Sequence, residues 1–269
     1  MEPAARPLDV LLDLLLPTRC AGCGTARGQL CSGCRTALAG TPGRPVRPEP
    51  APPGLPPVYA AAEYAGPVRA LLLAHKERGA LRLAVPLGAA LATAVRAALA
   101  DLGPTARDHP LLLVPVPSTR HAVRARGHDP VRRLAHAAVR QLHREGLHGR
   151  SAPLLRPVRP LADQSGLTAP ERWRNLAGAL AVRPSAARLL HRRPVVLVDD
   201  LVTTGASLAE AARALTTAGA EVLAAATVAA TARRSPGGRL SRPGAPGRQV
   251  SGHSRPPAPG GGRPRAQPG

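Results

Sequence analysis

Short apolar runs and longer amphipathic stretches alternate through the middle of the chain. The short runs are rich in Val, Ala and Leu and predict strands, whereas apolar residues recurring every three or four positions predict helices. The predicted strands are 58–64, 111–116, 179–182, 195–198 and 221–230, and the predicted helices are 67–75, 81–102, 130–145 and 207–218. This alternation indicates an α/β fold with a mainly parallel sheet flanked by helices.

The run 195–198 has no polar break, which is typical of a strand buried on both faces of a parallel sheet. Asp199 and Asp200 follow it, and a loop of small and hydroxyl residues then leads into a helix. Backbone N–H groups at such a helix start favour a phosphate, and Gly205 permits a ligand to approach the backbone closely. Two carboxylates beside this loop suit sugar hydroxyls, so the pattern predicts a sugar-phosphate site; an ordinary capped strand–turn–helix junction is the alternative. The predicted phosphate-binding residues are Val202, Thr203, Thr204, Gly205, Ala206 and Ser207.

All four cysteines lie near the N-terminus, as the pairs Cys20/Cys23 and Cys31/Cys34 with seven residues between the pairs. Two C-x-x-C turns can offer four thiolates to one ion, which predicts a closed, structural Zn²⁺ site. An iron–sulfur cluster is the main alternative. Two disulfides or a redox pair are disfavoured, because no secretory signal is evident and redox C-x-x-C motifs do not usually occur doubled.

Composition divides the chain into four parts. We expect a leading helix and zinc module in residues 1–40, and a Pro-rich linker in 41–57, where eight residues are Pro. The main domain is predicted over 58–232, and a disordered tail rich in Arg, Pro and Gly over 233–269. The segment 8–16 carries two Asp and predicts a short helix rather than a signal peptide, which together with reduced cysteines favours a cytoplasmic location.

The formal net charge is +21, which by itself suggests a polyanionic partner such as DNA. Eight arginines of the predicted tail supply more than a third of this charge, without any Asp or Glu. The near absence of aromatic residues disfavours recognition of single strands by stacking. No stretch approaches 18 apolar residues without charge, so no membrane-spanning segment is predicted.

The acid pair and its loop resemble the ribose-phosphate motif of type I phosphoribosyltransferases, which use 5-phosphoribosyl-1-pyrophosphate (PRPP). In combination with the cysteine module, the chain resembles the ComF/GntX family over roughly residues 8–231. His128–Asp129 and Leu180 stand where that family is expected to have Phe-Asn and Phe. Further matching segments are 64–66, 75–79, 113–117, 124–127, 164–167, 171–175 and 178–179.

The resemblance implies a phosphoribosyl transfer to an unidentified base or amine, with a link to competence and DNA uptake. It implies that Asp199 and Asp200 bind the ribose hydroxyls and offset charge on the ribose ring, with Mg²⁺ bound beside PRPP. The alternatives are a PRPP-binding protein without transferase activity and a nucleic-acid-binding accessory of competence. The implied pyrophosphate-loop residues are Pro117, Ser118, Thr119, Arg120 and Arg126, with Arg124 as a further candidate.

Overall fold

The structure is a computed structural model that describes residues 19–26, 28–40, 42–103, 110–159, 168–190 and 193–232. All of these residues belong to one compact unit. The predicted helix over 8–16, the matching segment 164–167 and the predicted tail 233–269 lie outside the described residues.

The described residues form eight strands and eight α-helices, with short 3₁₀ turns at Leu81–Leu83 and Pro184–Ala186. The strands are β1 (Arg44–Val46), β2 (Val58–Glu63), β3 (Leu111–Pro115), β4 (Gly149–Ser151), β5 (Leu155–Pro157), β6 (Leu180–Val182), β7 (Pro194–Val202) and β8 (Glu221–Ala230). The helices are α1 (Ser32–Ala39), α2 (Gly66–Glu77), α3 (Ala84–Asp101), α4 (Arg120–Arg126), α5 (Pro130–Arg144), α6 (Ala169–Leu176), α7 (Ala187–Leu190) and α8 (Ala206–Thr217).

Six strands form the main sheet, in the order β1-β2-β8-β7-β3-β4. Strands β2, β8, β7, β3 and β4 are parallel, and β1 is an antiparallel edge strand paired with β2. Strands β5 and β6 form a separate antiparallel hairpin sheet. This arrangement confirms the predicted α/β class with its mainly parallel sheet.

Both faces of the sheet are buried, as the unbroken apolar run of β7 predicts. Val196 and Val198 face a core shared with α1, α2, α3 and α5, whereas Val195 and Leu197 face a second core shared with α8 and the β5–β6 hairpin. Leu, Val and Ala supply nearly all the buried side chains, since the chain contains no Phe. The result is a sheet between two layers of helices.

Helix α3 is the central helix on one side of the sheet. With its preceding turn it forms a 21-residue helical segment, Leu81–Asp101, whose mean hydropathy of 1.7 and length are sufficient to cross a membrane. Arg82 and Arg96 interrupt it, so the segment still contains no run of 18 apolar residues without charge. The segment packs on the sheet and on α5, and most of it is buried, as in a core helix. Gly88 permits close packing there, since a Cβ at this position would lie 2.4 Å from the Cβ of Ala137.

Three local predictions were wrong in their boundaries. Residues 120–126 form a helix rather than a loop, because Thr119 caps the first turn by accepting a hydrogen bond from the N–H of Ala122 at 3.2 Å. Strand β7 continues through Asp199 and Asp200 to Val202, because β8 extends alongside it to Ala230. Within the Pro-rich segment, residues 44–46 pair with β2.

Candidate functional site

The carboxyl ends of β3 and β7 lie side by side at one edge of the main sheet. Pro115 pairs with Val198, and the N–H of Val116 donates to the carbonyl oxygen of Val198 at 2.9 Å. The chain that leaves β3 through Pro117 therefore begins beside Asp199. This edge, which we call the rim, is where parallel α/β sheets bind their ligands.

The acid pair at the rim contacts the only lysine of the chain. Lys76, in the last turn of α2, donates from Nζ to Oδ2 of Asp200 at 2.8 Å. The Asp200 side chain is only 8% exposed, whereas that of Lys76 is 35% exposed. The Oδ1 of Asp199 accepts a hydrogen bond from the backbone N–H of Asp200 at 2.8 Å, which orients this carboxylate.

The two carboxylates and the ammonium change one another's proton affinity. Burial and the adjacent charge of Asp200 raise the pKa of Asp199 well above its ordinary value, although Lys76 opposes this effect. Burial by itself would lower the pKa of Lys76, but the charges of Asp200 and Asp199 raise it. Lys76 therefore remains charged at neutral pH and partly compensates the acid pair.

The small-residue loop 203–205 leads from β7 into α8. Gly205 is the N-cap residue, with φ +76°, a left-handed conformation that favours glycine. The N–H of Ala206 donates to Oγ1 of Thr204 at 3.4 Å, and the N-cap glycine supplies no side-chain cap, so the next N–H groups of the helix start are available to an anion. Thr203 is exposed, Thr204 and Ser207 are half-buried, and the Val202 and Ala206 side chains are buried in or beside the core.

The Pro-rich segment covers one side of this loop. A Cβ at Gly205 would lie 3.0 Å from a methyl carbon of Leu55 and 3.3 Å from Cγ of Pro48. Leu55 also packs on the core cluster that contains Val202. The segment expected to be a linker thus contacts the predicted phosphate loop.

The predicted pyrophosphate loop begins as an extended segment and ends as α4. Pro117, Ser118 and Thr119 are half-buried at the rim, and Arg120 is the first residue of α4. Arg126 donates through Nε to the carbonyl of Ala122 at 3.0 Å and through a terminal nitrogen to Oε1 of Glu77 at 3.4 Å. Its ion pair therefore joins α4 to α2, the helix that carries Lys76.

His128 holds the end of this loop against α2. Its ring is 7% exposed, with Nε2 3.2 Å from the carbonyl oxygen of His75 and Nδ1 3.0 Å from that of Arg126. The rings of His128 and the buried His75 lie 5.8 Å apart. His128 is thus a packing residue of the loop, which is consistent with its standing where the resembling family is expected to have Phe.

The β5–β6 hairpin is tied to α8 by one fully buried carboxylate. Oε1 of Glu210 accepts from the backbone N–H of Leu180 at 2.9 Å, and both Glu210 oxygens accept from Arg213 at 2.7 Å. Arg213 also donates to the carbonyl of Leu180 at 2.9 Å. These bonds fix the hairpin relative to the helix that begins at the phosphate loop.

The four cysteines form a compact cluster, with their sulfur atoms all within 4.8 Å of one another. Thiolates around one Zn²⁺ at Zn–S distances of about 2.3 Å lie roughly 3.8 Å apart, so the donor set fits this ion. The sulfur atoms of Cys23 and Cys31 lie 3.6 Å apart, and all four cysteines are free rather than paired as disulfides. Gly22 is needed here, because a Cβ would lie 2.8 Å from Sγ of Cys34.

Backbone hydrogen bonds favour the thiolate form of Cys20 in this cluster. Burial opposes ionisation of Cys20, but hydrogen bonds from backbone N–H groups, the largest from Cys31, lower its pKa to about 6. Cys20 and Cys34 are buried in the same core as Leu38 and Leu71. A metal bound here would therefore fasten the N-terminal module to α2 and α3.

Lys76, Leu55 and Glu210 are contributors to the site region that sequence reasoning did not single out. Sequence reasoning had the best chance of finding Lys76, because this residue is the only lysine among 269 residues and lies in a segment that matched the family pattern. Leu55 and Glu210 carry no local signal: one lies in a proline-rich stretch and the other on a helix where glutamate is ordinary.

Comparison with known proteins supports the interpretation of this rim. A search of the curated proteins found no match to the chain. Residues 156–240, which include β5, β6, β7, α8 and β8, match the family model for the phosphoribosyl transferase domain. The acid pair, the loop that follows it and the hairpin all lie within the matched residues. Over these residues the chain is therefore similar to phosphoribosyl transferase domains.

Proposed function

We propose that this protein binds PRPP with Mg²⁺ and transfers its phosphoribosyl group to a nitrogen nucleophile. One observation carries the proposal: the acid pair, the glycine-opened start of α8 and the loop after β3 lie together at one rim. A sugar that bears phosphate at one end and pyrophosphate at the other needs these three elements side by side.

Each part of PRPP has a matching group. Asp199 and Asp200 accept hydrogen bonds from the ribose hydroxyls, and the N–H groups of residues 203–207 bind the 5′-phosphate at the positive end of the α8 dipole. Residues 117–119, with the arginines of α4, bind the pyrophosphate. Mg²⁺ would be held with PRPP beside Asp199 and Asp200, largely through water, and would offset the negative charge of the pyrophosphate.

Transfer then requires little covalent chemistry from the protein. The bond between C1 of the ribose and the pyrophosphate oxygen breaks, and its electron pair leaves with the pyrophosphate. The nucleophile's nitrogen forms the new bond to C1 and loses a proton to solvent. The two aspartates stabilise the positive charge that develops on the ribose ring, and arginine stabilises the leaving group.

Lys76 acts as a positioning residue. Its ion pair holds the Asp200 carboxylate in place and partly offsets the charge of the two aspartates, which favours the ionised form of Asp199. The zinc module has a structural role and supplies no group to the reaction. Its free thiols suit the reducing cytoplasm, which we propose as the location.

Calorimetric titration of the full, zinc-loaded chain with PRPP and Mg²⁺ tests the proposal. We expect affinity to fall by about a hundredfold or more when Asp199 and Asp200 are both changed to Asn. Glu221→Gln is the matched control, because this exposed carboxylate begins β8 and so lies at its end away from the rim. Unchanged PRPP affinity in the double variant would refute the site.

Measurements of pyrophosphate release and DNA binding distinguish the transferase from the two alternative functions. Release of pyrophosphate with any member of a panel of bases and amines supports the transferase. PRPP binding without release across the panel would instead indicate a non-catalytic PRPP-binding protein. DNA binding that is steeply salt-dependent and survives the double substitution, in a protein that does not bind PRPP, would indicate a nucleic-acid accessory.

A further inference from the structure

A cavity of about 250 Å³ lies beside the predicted pyrophosphate loop. Pro117 and Ser118 form part of its wall, and the β5–β6 hairpin region forms another part through Leu155 and Arg156. Neither Asp199 nor Asp200 lines it. The cavity therefore shares the loop with the proposed PRPP site but does not include the groups assigned to the ribose.

Arginine is concentrated around this cavity. Arg and Lys together make up 37 of the 269 residues, whereas four of the twelve lining residues are arginine. They come from separate elements: Arg124 from the last turn of α4, Arg132 from the first turn of α5, Arg156 from β5 and Arg183 from the end of β6. Guanidinium groups from four separate elements therefore face one small cavity.

The charge of these arginines is poorly compensated. None of the four forms a salt bridge with a residue in the described part of the chain. Among the described residues that line the cavity, Asp129 is the only acidic one, and its Oδ1 already accepts from the backbone N–H of Arg132 at 3.2 Å. A bound anion would therefore gain guanidinium partners that no protein carboxylate occupies.

Apart from the arginines, Ser118 and Asp129, the wall is apolar and conformationally restricted. Four prolines line it, together with Val123 and the buried Leu155, and the proline rings limit how far the wall can adjust. A small, flat apolar body fits such a wall, and the guanidinium groups suit a carboxylate attached to it. The cavity volume restricts the ligand to roughly one ring with its substituents.

We propose that this cavity binds the acceptor and that the acceptor is a small ring compound bearing a carboxylate. The proposal rests on the proposed transferase function. Arg156 and Arg183 carry it most directly, because they belong to the hairpin region and not to the pyrophosphate loop. The other anion that these arginines could bind is the pyrophosphate of PRPP itself. Arg124 is the cavity arginine nearest in sequence to the predicted pyrophosphate loop.

The test uses two probes of nearly the same shape, the anion imidazole-4-carboxylate and the neutral imidazole-4-carboxamide, in which an NH₂ donor replaces one acceptor oxygen. Each is titrated calorimetrically into the full, zinc-loaded chain, with and without saturating PRPP and Mg²⁺. We expect the carboxylate to bind about tenfold more tightly than the carboxamide. Equal binding of the two probes, or none, would overturn the carboxylate assignment.

Substitutions then show whether the cavity binds the carboxylate of the acceptor or the pyrophosphate of PRPP. Arg156→Gln and Arg183→Ala are each expected to remove most of the preference for the carboxylate, with PRPP and pyrophosphate affinities unchanged. Arg133→Ala is the matched control, an exposed arginine on α5 next to Arg132 that does not line the cavity. Melting temperatures show whether each variant is folded. Arg183 donates a hydrogen bond to the carbonyl of Pro153, so its substitution also removes a structural contact, and Arg156→Gln is therefore the decisive variant.

A parallel loss of pyrophosphate and PRPP affinity in Arg156→Gln would assign the cavity to the leaving group and overturn the proposal. Failure of the proposed function has a different signature, because the wild-type chain would then either not bind PRPP or bind it without releasing pyrophosphate with any base or amine. The preference for the carboxylate is still measurable in that case, since it is recorded without PRPP as well.

Discussion

Nζ of Lys76 lies 2.8 Å from Oδ2 of Asp200, although 124 residues separate them in the chain. The contact joins the end of α2 to the end of β7, and it places the only lysine at the only paired acids of the rim. Arg126 and Glu77 extend the connection to α4. The predicted ribose and pyrophosphate loops are therefore coupled through α2.

Asp200→Asn is expected to destabilise the fold by about 1 kcal/mol, because Lys76 loses its partner while partly buried. The value is modest since a third of the Lys76 side chain is exposed. Urea unfolding measures the effect, and Lys76→Met completes a double-mutant cycle. Additive effects of the two substitutions would show that the ion pair contributes nothing to stability.

Asp199→Asn is expected to have the opposite effect on stability. The folded-state pKa of Asp199 is raised, so the folded protein binds this proton more tightly than the unfolded chain and loses stability as the carboxyl ionises. The loss begins as pH rises through the unfolded value near 3.8 and is complete above the folded value. At neutral pH the variant should be more stable than the wild type, and PRPP binding should be lost.

The pH dependence provides the check for Asp199. The stability advantage of Asp199→Asn should vanish in acid, where the wild-type carboxyl is protonated in both states. An advantage that is constant with pH would mean that the electrostatic explanation is wrong.

Gly205→Ala is expected to destabilise the fold by about 1–2 kcal/mol and to weaken PRPP binding. The left-handed backbone accounts for part of this cost, and the contact with Leu55 for the rest. Leu55→Ala in the Gly205→Ala background should recover the steric part only. Thermal unfolding measures both, and a full recovery would show that backbone conformation is not limiting. Gly219→Ala is a suitable control, as φ is +83° there but no atom lies within 4 Å of the added Cβ.

Cys31→Ser is expected to lower the zinc content and the melting temperature together, because the cluster is fastened to the core through Cys20 and Cys34. Metal analysis and thermal unfolding measure the two effects, with Ser32→Ala as a control at the neighbouring exposed position. Full metal occupancy in Cys31→Ser would contradict a four-thiolate site. Iron rather than zinc in the purified protein would instead favour a cluster.

Much of the fold was predictable because its elements are strongly patterned. The unbroken apolar run of β7 and the long helix α3 each bury residues in the order that their periodicity predicts. The short strands β1, β4 and β5 were missed. Each has three residues, which is too few to show a period, and each exists because a neighbouring strand or hairpin partner is in place.

The sequence by itself determined what depends on neighbours along the chain: the acid pair before a glycine-opened helix, the four cysteines within 15 residues, and the alternation of strands and helices. Such features follow from local backbone geometry and periodicity. Only the tertiary structure placed Lys76 on Asp200, Leu55 over Gly205 and four arginines around one cavity. These contacts join segments distant in the chain, and their formation depends on the order of the strands and on how each helix packs against the sheet.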